Sequence, residues 1–379
     1  MNAVTEKYKH RFRRWFRLCP WRHVLTLLGG ALIAAYFILR GRPELIQNIC
    51  TRLIRPWHHF CARLCDRLPF SAAELLIVLG VLLALGYIVY TVVQLIRTPK
   101  RGIRVYRFFM TCLTAFALIY GGFCLLWGVY YYSADFEDQS GIRAEPVSVE
   151  QLTTVTLWFT DLLNEYAAQV PRDEGGCFAV PQDEFFAHAP ALYRAAVQTV
   201  PCLAGEELSP KPFFFSRCMS YINFTGFFFP FTGEANINVD VPPALIPSTI
   251  AHELAHQRGV AEEDEANFVA VLACLEDGDP AYCYSAALMA YIHLGNALYR
   301  SDRDAWRANY ARLSDGVRAD LALHSAYWDQ FETPISTVSD SVYSGFLQSY
   351  GQTLGLQTYG KCVDLLIAYY YETALEAIS

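Results

Sequence analysis

Residues Ile250 to Gly259 run Ile-Ala-His-Glu-Leu-Ala-His-Gln-Arg-Gly, and within them His252, Glu253 and His256 form the pattern H-E-x-x-H. Pro247 before the run and Gly259 after it frame one short helix. Side chains four apart lie on one helix face, one turn above each other, so both imidazoles can point at a single ion. Glu253 stands beside the first histidine and is angled to reach a water held by that ion, not the ion itself. Zinc lowers the pKa of such a water towards neutrality, and a carboxylate can take its proton as the oxygen attacks a carbonyl. These residues therefore predict metal-assisted hydrolysis, with Zn2+ as cofactor, His252 and His256 as ligands and Glu253 as general base. The competing interpretation is a helix whose two histidines and glutamate make surface hydrogen bonds, and a third ligand decides between them.

A catalytic zinc takes three protein ligands and keeps one position open. Directly after Gly259 come Glu262, Glu263 and Glu265, in the first turn of a second helix that is apolar along Phe268, Val271, Leu272 and Leu275. Acids at a helix start are also favoured by the helix dipole, so their presence alone is not decisive. Glu262 falls at the spacing where metzincins carry their third ligand. Glu263 and Asn267 instead resemble the E-x-x-x-D/N signature of glutamate-zincins, in which a glutamate binds zinc and a polar residue one turn later steadies a ligand histidine. Glu263 is the preferred ligand because Asn267 lies one turn on along its own face; Glu262 and then Glu265 are the alternatives.

The stretch from about Phe227 through Leu272, especially Phe231-Thr232-Gly233-Glu234-Ala235-Asn236, the H-E-L-A-H-Q-R-G run and E-D-E-A-N-F, resembles a bacterial family of predicted membrane metallopeptidases catalogued as a domain of unknown function. The resemblance extends to three apolar N-terminal runs and to Tyr359 through Leu366, and so covers most of the chain. It implies a zinc peptidase-like site with His252, His256 and Glu263 as ligands, Asn267 behind them and Glu253 as base. It brings no substrate.

Peptide hydrolysis also needs an edge strand to hold substrate backbone and a donor for the oxyanion. The strand expected near Gly233 to Asp240 is the candidate edge, and Tyr291, His293, Tyr299 and His324 are donor candidates without support from spacing. Apolar periodicity predicts helices over about 148–170 and 183–199. Phe213 to Phe215, Tyr221 to Phe224 and Ile237 to Asp240 are short aromatic or β-branched pieces broken by Gly226, Pro230 and Gly233, and predict two or three strands of a small sheet. From Pro247 to Glu376 the pattern is helical, with breaks near Gly259, Asp277 to Pro280, Arg300 to Asp304, Pro334 and Gly360.

The rest of the chain says where this domain works. Residues 1–132 carry 18 Lys and Arg against 4 Asp and Glu, and residues 133–379 carry 12 against 33. The basic residues flank three apolar runs, about 24–40, 73–96 and 108–132, as cytoplasmic membrane flanks do. The first run is short and resembles a signal-peptide core, but no small-x-small cleavage site follows it, so an uncleaved anchor is expected. An acidic domain repels phosphate backbones, and nucleic-acid binding is not expected. Groups of seven, six and five Lys and Arg lie before the first run, between the first two and between the last two. An inside N-terminus with three crossings then sends residues after Tyr132 outwards, although the six arginines of the middle loop oppose that sidedness. The twelve cysteines show no C-x-x-C pair, and the six of the acidic half allow one or two bridges in an exported domain.

The expected molecule is mainly α: three N-terminal transmembrane helices in residues 1–132, then a zincin-like α+β domain with a small sheet in residues 133–379. Its expected partners are the lipid bilayer and a peptide or protein substrate. A non-catalytic zinc-binding sensor built on the same domain is the alternative function, and the oligomeric state is not legible.

Overall fold

The computed structural model describes residues 16–144, 146–349 and 360–378. Most of the basic N-terminus, Lys7 to Arg14, and Tyr359 lie outside these residues. The fold is mainly α, as the periodicity predicts, with one three-stranded sheet among the described residues. The helices of eight residues or more are α1 (Pro20–Leu39), α2 (Arg55–Asp66), α3 (Ala72–Arg97), α4 (Arg101–Leu126), α5 (Val149–Ala167) and α6 (Ile246–Gln257). They continue with α7 (Glu263–Asp277), α8 (Pro280–Ser301), α9 (Arg303–Tyr310), α10 (Asp315–Asp329), α11 (Pro334–Ser349) and α12 (Gly360–Ile378).

Two compact units divide the chain: one of residues up to Cys50 with Ala73–Ser133, the other of Thr51–Ala72 with Ala134–Ser379. In the first, α1, α3 and α4 are long and apolar enough to cross a membrane. The third apolar run is helical over Arg101–Leu126, earlier than expected, and residues 128–132 form a 3-10 turn. Charged Arg101 to Arg107 join the helix because helix formation does not require apolar side chains, whereas Gly128 follows its end. Helices α1 and α4 approach closely where Gly29 faces Ala117, and Thr26 and Thr114 share a hydroxyl hydrogen bond of 2.8 Å. Small residues and interhelical hydroxyls of this kind are how helices associate in lipid.

The second unit is built around α7. Helices α6, α8 and α12 pack against it, and every residue from Phe268 to Cys274 is fully buried. The apolar run of α7 is therefore enclosed on all sides, not on one face as its spacing suggested. Helix α5 opens on a capping box of Ser148 and Gln151 and packs on α8 and α12 through Val155, Phe159 and Leu163. Residues 51–72, which hold α2 and the loop after it, also group with this unit: Ser71 Oγ donates to Asn236 Oδ1 at 2.6 Å, and the Ala72 amide donates to Glu234 Oε1 at 3.0 Å. Glu234 and Asn236, two residues of the F-T-G-E-A-N stretch, thus fasten this loop to the sheet.

The sheet has the order β1-β3-β2, with β1 (Lys211–Phe213) parallel and β2 (Gly226–Phe229) antiparallel to β3 (Glu234–Asn238). This corrects the expectation that the strand near Gly233 to Asp240 is an edge: β3 is central, and all five of its residues are buried. Tyr221 to Phe224 is a turn, not a strand, with Asn223 at φ 58°, a conformation asparagine tolerates. The helix expected over 183–199 is broken into Gln182–His188, a 3-10 turn over Ala189–Ala191 and Ala196–Thr199. Pro190 has no amide hydrogen to continue the ladder. All twelve cysteines are free thiols, so none of the bridges that the acidic half allowed is formed.

Candidate metal centre

Helix α6 has Pro247 in its first turn, where the missing amide hydrogen leaves no bond unmade. Ile250, Ala251, Leu254 and Ala255 bury its apolar face in the core, which turns His252, Glu253 and His256 to the opposite side. The helix stops at Gly259, whose φ of +92° permits the chain to reverse, and α7 begins four residues later. That turn places Glu263 over the histidine pair. Glu263 Oε2 lies 3.1 Å from His252 Nε2 and 3.6 Å from His256 Nε2, and the two rings are 4.6 Å apart at 86°.

Two nitrogens and one oxygen within 4.8 Å of one another suit a small cation. Tetrahedral zinc bonds of 2.0–2.1 Å would separate neighbouring donors by about 3.3 Å, between the two distances found here. His256 Nδ1 donates to the Val260 carbonyl at 2.7 Å, which fixes the ring and points Nε2 at Glu263. His252 Nδ1 is buried and has no hydrogen-bond partner among the described residues.

The electrostatics favour positive charge at this point. Burial alone would raise the Glu263 carboxyl, but His256 and His252 outweigh it and hold the group well below the usual carboxylate range. Burial would likewise lower His256, and the facing Glu263 lifts it to about 9. Glu253 is different: burial dominates and pushes it up to about 7, against the pull of both histidines. Its Oε2 is buried and accepts no hydrogen bond from the described residues.

The other acids of the turn are engaged elsewhere. Lys361 Nζ from α12 lies 2.8 Å from Glu262 Oε2, 2.9 Å from Glu265 Oε1 and 3.0 Å from Glu137 Oε2. Glu265 also accepts the Phe136 amide at 3.0 Å. Asp135, Glu137 and Glu265 are close enough to one another for a cation, and the Lys361 ammonium is already among them. Of Glu262, Glu263 and Glu265, it is Glu263 that reaches the histidines.

Asn267 is half-buried and makes no hydrogen bond with the described residues, so the role expected of it falls to others. Val260 holds His256, and the Tyr343 hydroxyl of α11 donates to Glu263 Oε1 at 2.7 Å. Of the four oxyanion-donor candidates, His293 is buried close enough to His252 to feel its charge, and is lowered to about 4 mainly by burial. Tyr291 and His324 line a separate cavity of about 460 Å³ with Trp306 and Tyr310, and Tyr299 packs edge-on against Trp306.

Strand β2 runs past Glu253. A Cβ on Gly226 would stand 2.7 Å from Glu253 Oε1 and 2.8 Å from its Cγ, so the backbone can lie this close only as glycine. The Asn238 amide donates to the Thr225 carbonyl at 2.9 Å, which sets the ladder: Thr225, Phe227 and Phe229 bond towards β3. Gly226 and Phe228 then direct their amides and carbonyls to the outer edge of the sheet. Gly226, Tyr343 and Lys361 had no local sequence signal, since each acts on a residue at least 27 positions away.

Residues 51–367 match the family described as protein of unknown function, DUF3810. No curated protein and no solved structure matches the chain.

Proposed function

Because this chain belongs to the DUF3810 family, whose description names no activity, we propose one from the site itself: a membrane-anchored zinc peptidase that cleaves peptide bonds with water. The observation that carries the proposal is the convergence of His252 Nε2, His256 Nε2 and Glu263 Oε2 beside the buried, unpartnered oxygen of Glu253. His252, His256 and Glu263 would hold the ion. When bound, zinc supplies Lewis acidity, making water acidic near neutrality and polarising a carbonyl.

The chain's own residues do the rest. Glu253 takes the proton of the attacking water and passes it to the departing amine. Its upward shift to about 7 suits a group that must both accept and return a proton near neutral pH. The outward amide and carbonyl of Gly226 offer an extended substrate one antiparallel partner, which would lay the peptide alongside Glu253. The three apolar helices anchor the domain as a multi-pass protein. The positive charges before the first and between the last two apolar runs favour a catalytic domain outside the cytoplasmic membrane.

Purified wild type is expected to carry one zinc per chain and to cleave a casein-type substrate. Glu253→Gln should keep the metal while cleavage falls by about 10²–10⁴-fold. Unchanged cleavage in that variant removes Glu253 from the mechanism. Zinc binding with no cleavage across an unbiased peptide library would instead favour a zinc-binding sensor.

A further inference from the structure

Glu263 has two carboxylate oxygens, and the structure gives them different surroundings. Oε2 faces both histidines, whereas Oε1 accepts the Tyr343 hydroxyl at 2.7 Å. A carboxylate free to rotate can chelate an ion through both oxygens, and a second oxygen on the ion would take the position that water or a substrate carbonyl needs. A hydrogen bond to one oxygen biases the group towards binding through the other.

The placement of Tyr343 is itself supported by the segment that leads into β2. Asn223 Nδ2 donates to both oxygens of Asp340, at 3.0 and 3.2 Å, and Ser339 Oγ donates to the Ile222 carbonyl at 2.9 Å. The Tyr343 ring meets Phe224 edge-on at 5.2 Å. Three residues in a row, Ile222, Asn223 and Phe224, thus seat α11, and Gly226 follows two positions later. The hydroxyl on the metal ligand and the strand edge beside the base share one support.

Resting on the zinc-peptidase reading, we propose that Tyr343 is a positioning residue that keeps Glu263 a one-oxygen ligand and so preserves the open coordination position. The hydroxyl acts through Glu263 and need not touch substrate.

The test uses cobalt(II) as a visible probe in the detergent-solubilised full chain. Tyr343→Phe keeps the ring and its contact with Phe224 while removing the donor. It should weaken cobalt affinity by about 10–100-fold, the usual effect of losing a group that orients a ligand. It should also lower the intensity of the visible d–d band, because a chelating carboxylate raises the coordination number. Tyr343→His, which restores an N–H donor, should recover part of both. Wild-type affinity and an unaltered spectrum in Tyr343→Phe would overturn the inference alone; a wild type that binds no cobalt would overturn the zinc-peptidase reading and this inference with it. Should Tyr343→Phe not fold, Asp340→Ala loosens the same helix by removing its bonds to Asn223. It should weaken cobalt binding in the same direction, and wild-type binding there would count against the inference.

Discussion

At the scale of single residues, Glu253 and Gly226 form a pair whose partnership is steric. The glycine leaves the space in which the carboxylate lies, with 2.7 Å between an added Cβ and Glu253 Oε1. Glu253 is buried, so its side chain cannot swing into solvent to make room. On the proposed mechanism, Gly226→Ala should therefore displace the base and lower cleavage by about 10-fold or more, in the range expected when a catalytic group is moved by about an ångström. Zinc content should stay at the wild-type level, since the three atoms nearest an added Cβ all belong to Glu253. Full cleavage by Gly226→Ala would mean that this position of Glu253 is not the working one. The histidine pair, Glu253 and Glu263 were legible in the sequence because the spacing four apart and the turn at Gly259 are local. The groups that hold these ligands were not: Asn267 stood at the spacing expected to steady a histidine, while the hydroxyl that reaches Glu263 comes from 80 positions away.

At the scale of elements, the contact between α7 and α12 depends on Lys361. Its ammonium answers Glu265, which is 1 % exposed, together with the half-buried Glu262 and Glu137. Burial pushes Glu265 up to about 7 even with Lys361 beside it, so without that cation it would take up a proton and lose its partner. Lys361→Met should destabilise the domain by on the order of 2 kcal/mol, reduced from the value for a fully buried pair because Lys361 is partly exposed. Urea unfolding in detergent measures this, and a change below about 0.5 kcal/mol, the size of an ordinary surface substitution, would show that the cluster is not a clamp. Helix existence was read well from apolar periodicity, and strand order was not. Alternation shows which residues share a face but not which strand lies at an edge, and β3 is buried at every position, the mark of a central strand. Pro190 was a readable break in the helix expected over 183–199.

For the whole molecule, the charge division and the three apolar helices make sidedness the next question. Cys218 is an exposed free thiol of the second unit. If that domain faces outwards, an impermeant maleimide should label Cys218 on intact cells, and Cys218→Ser should lose that label. Labelling of Cys218 only after lysis would place the domain in the cytoplasm. The most direct test of the proposed metal centre is zinc K-edge X-ray absorption on the purified chain. A nitrogen and oxygen shell at about 2.0–2.1 Å, with the scattering pattern of two imidazoles, is the predicted result. An absent zinc edge, or a shell dominated by sulfur at about 2.3 Å, would contradict a site built from His252, His256 and Glu263.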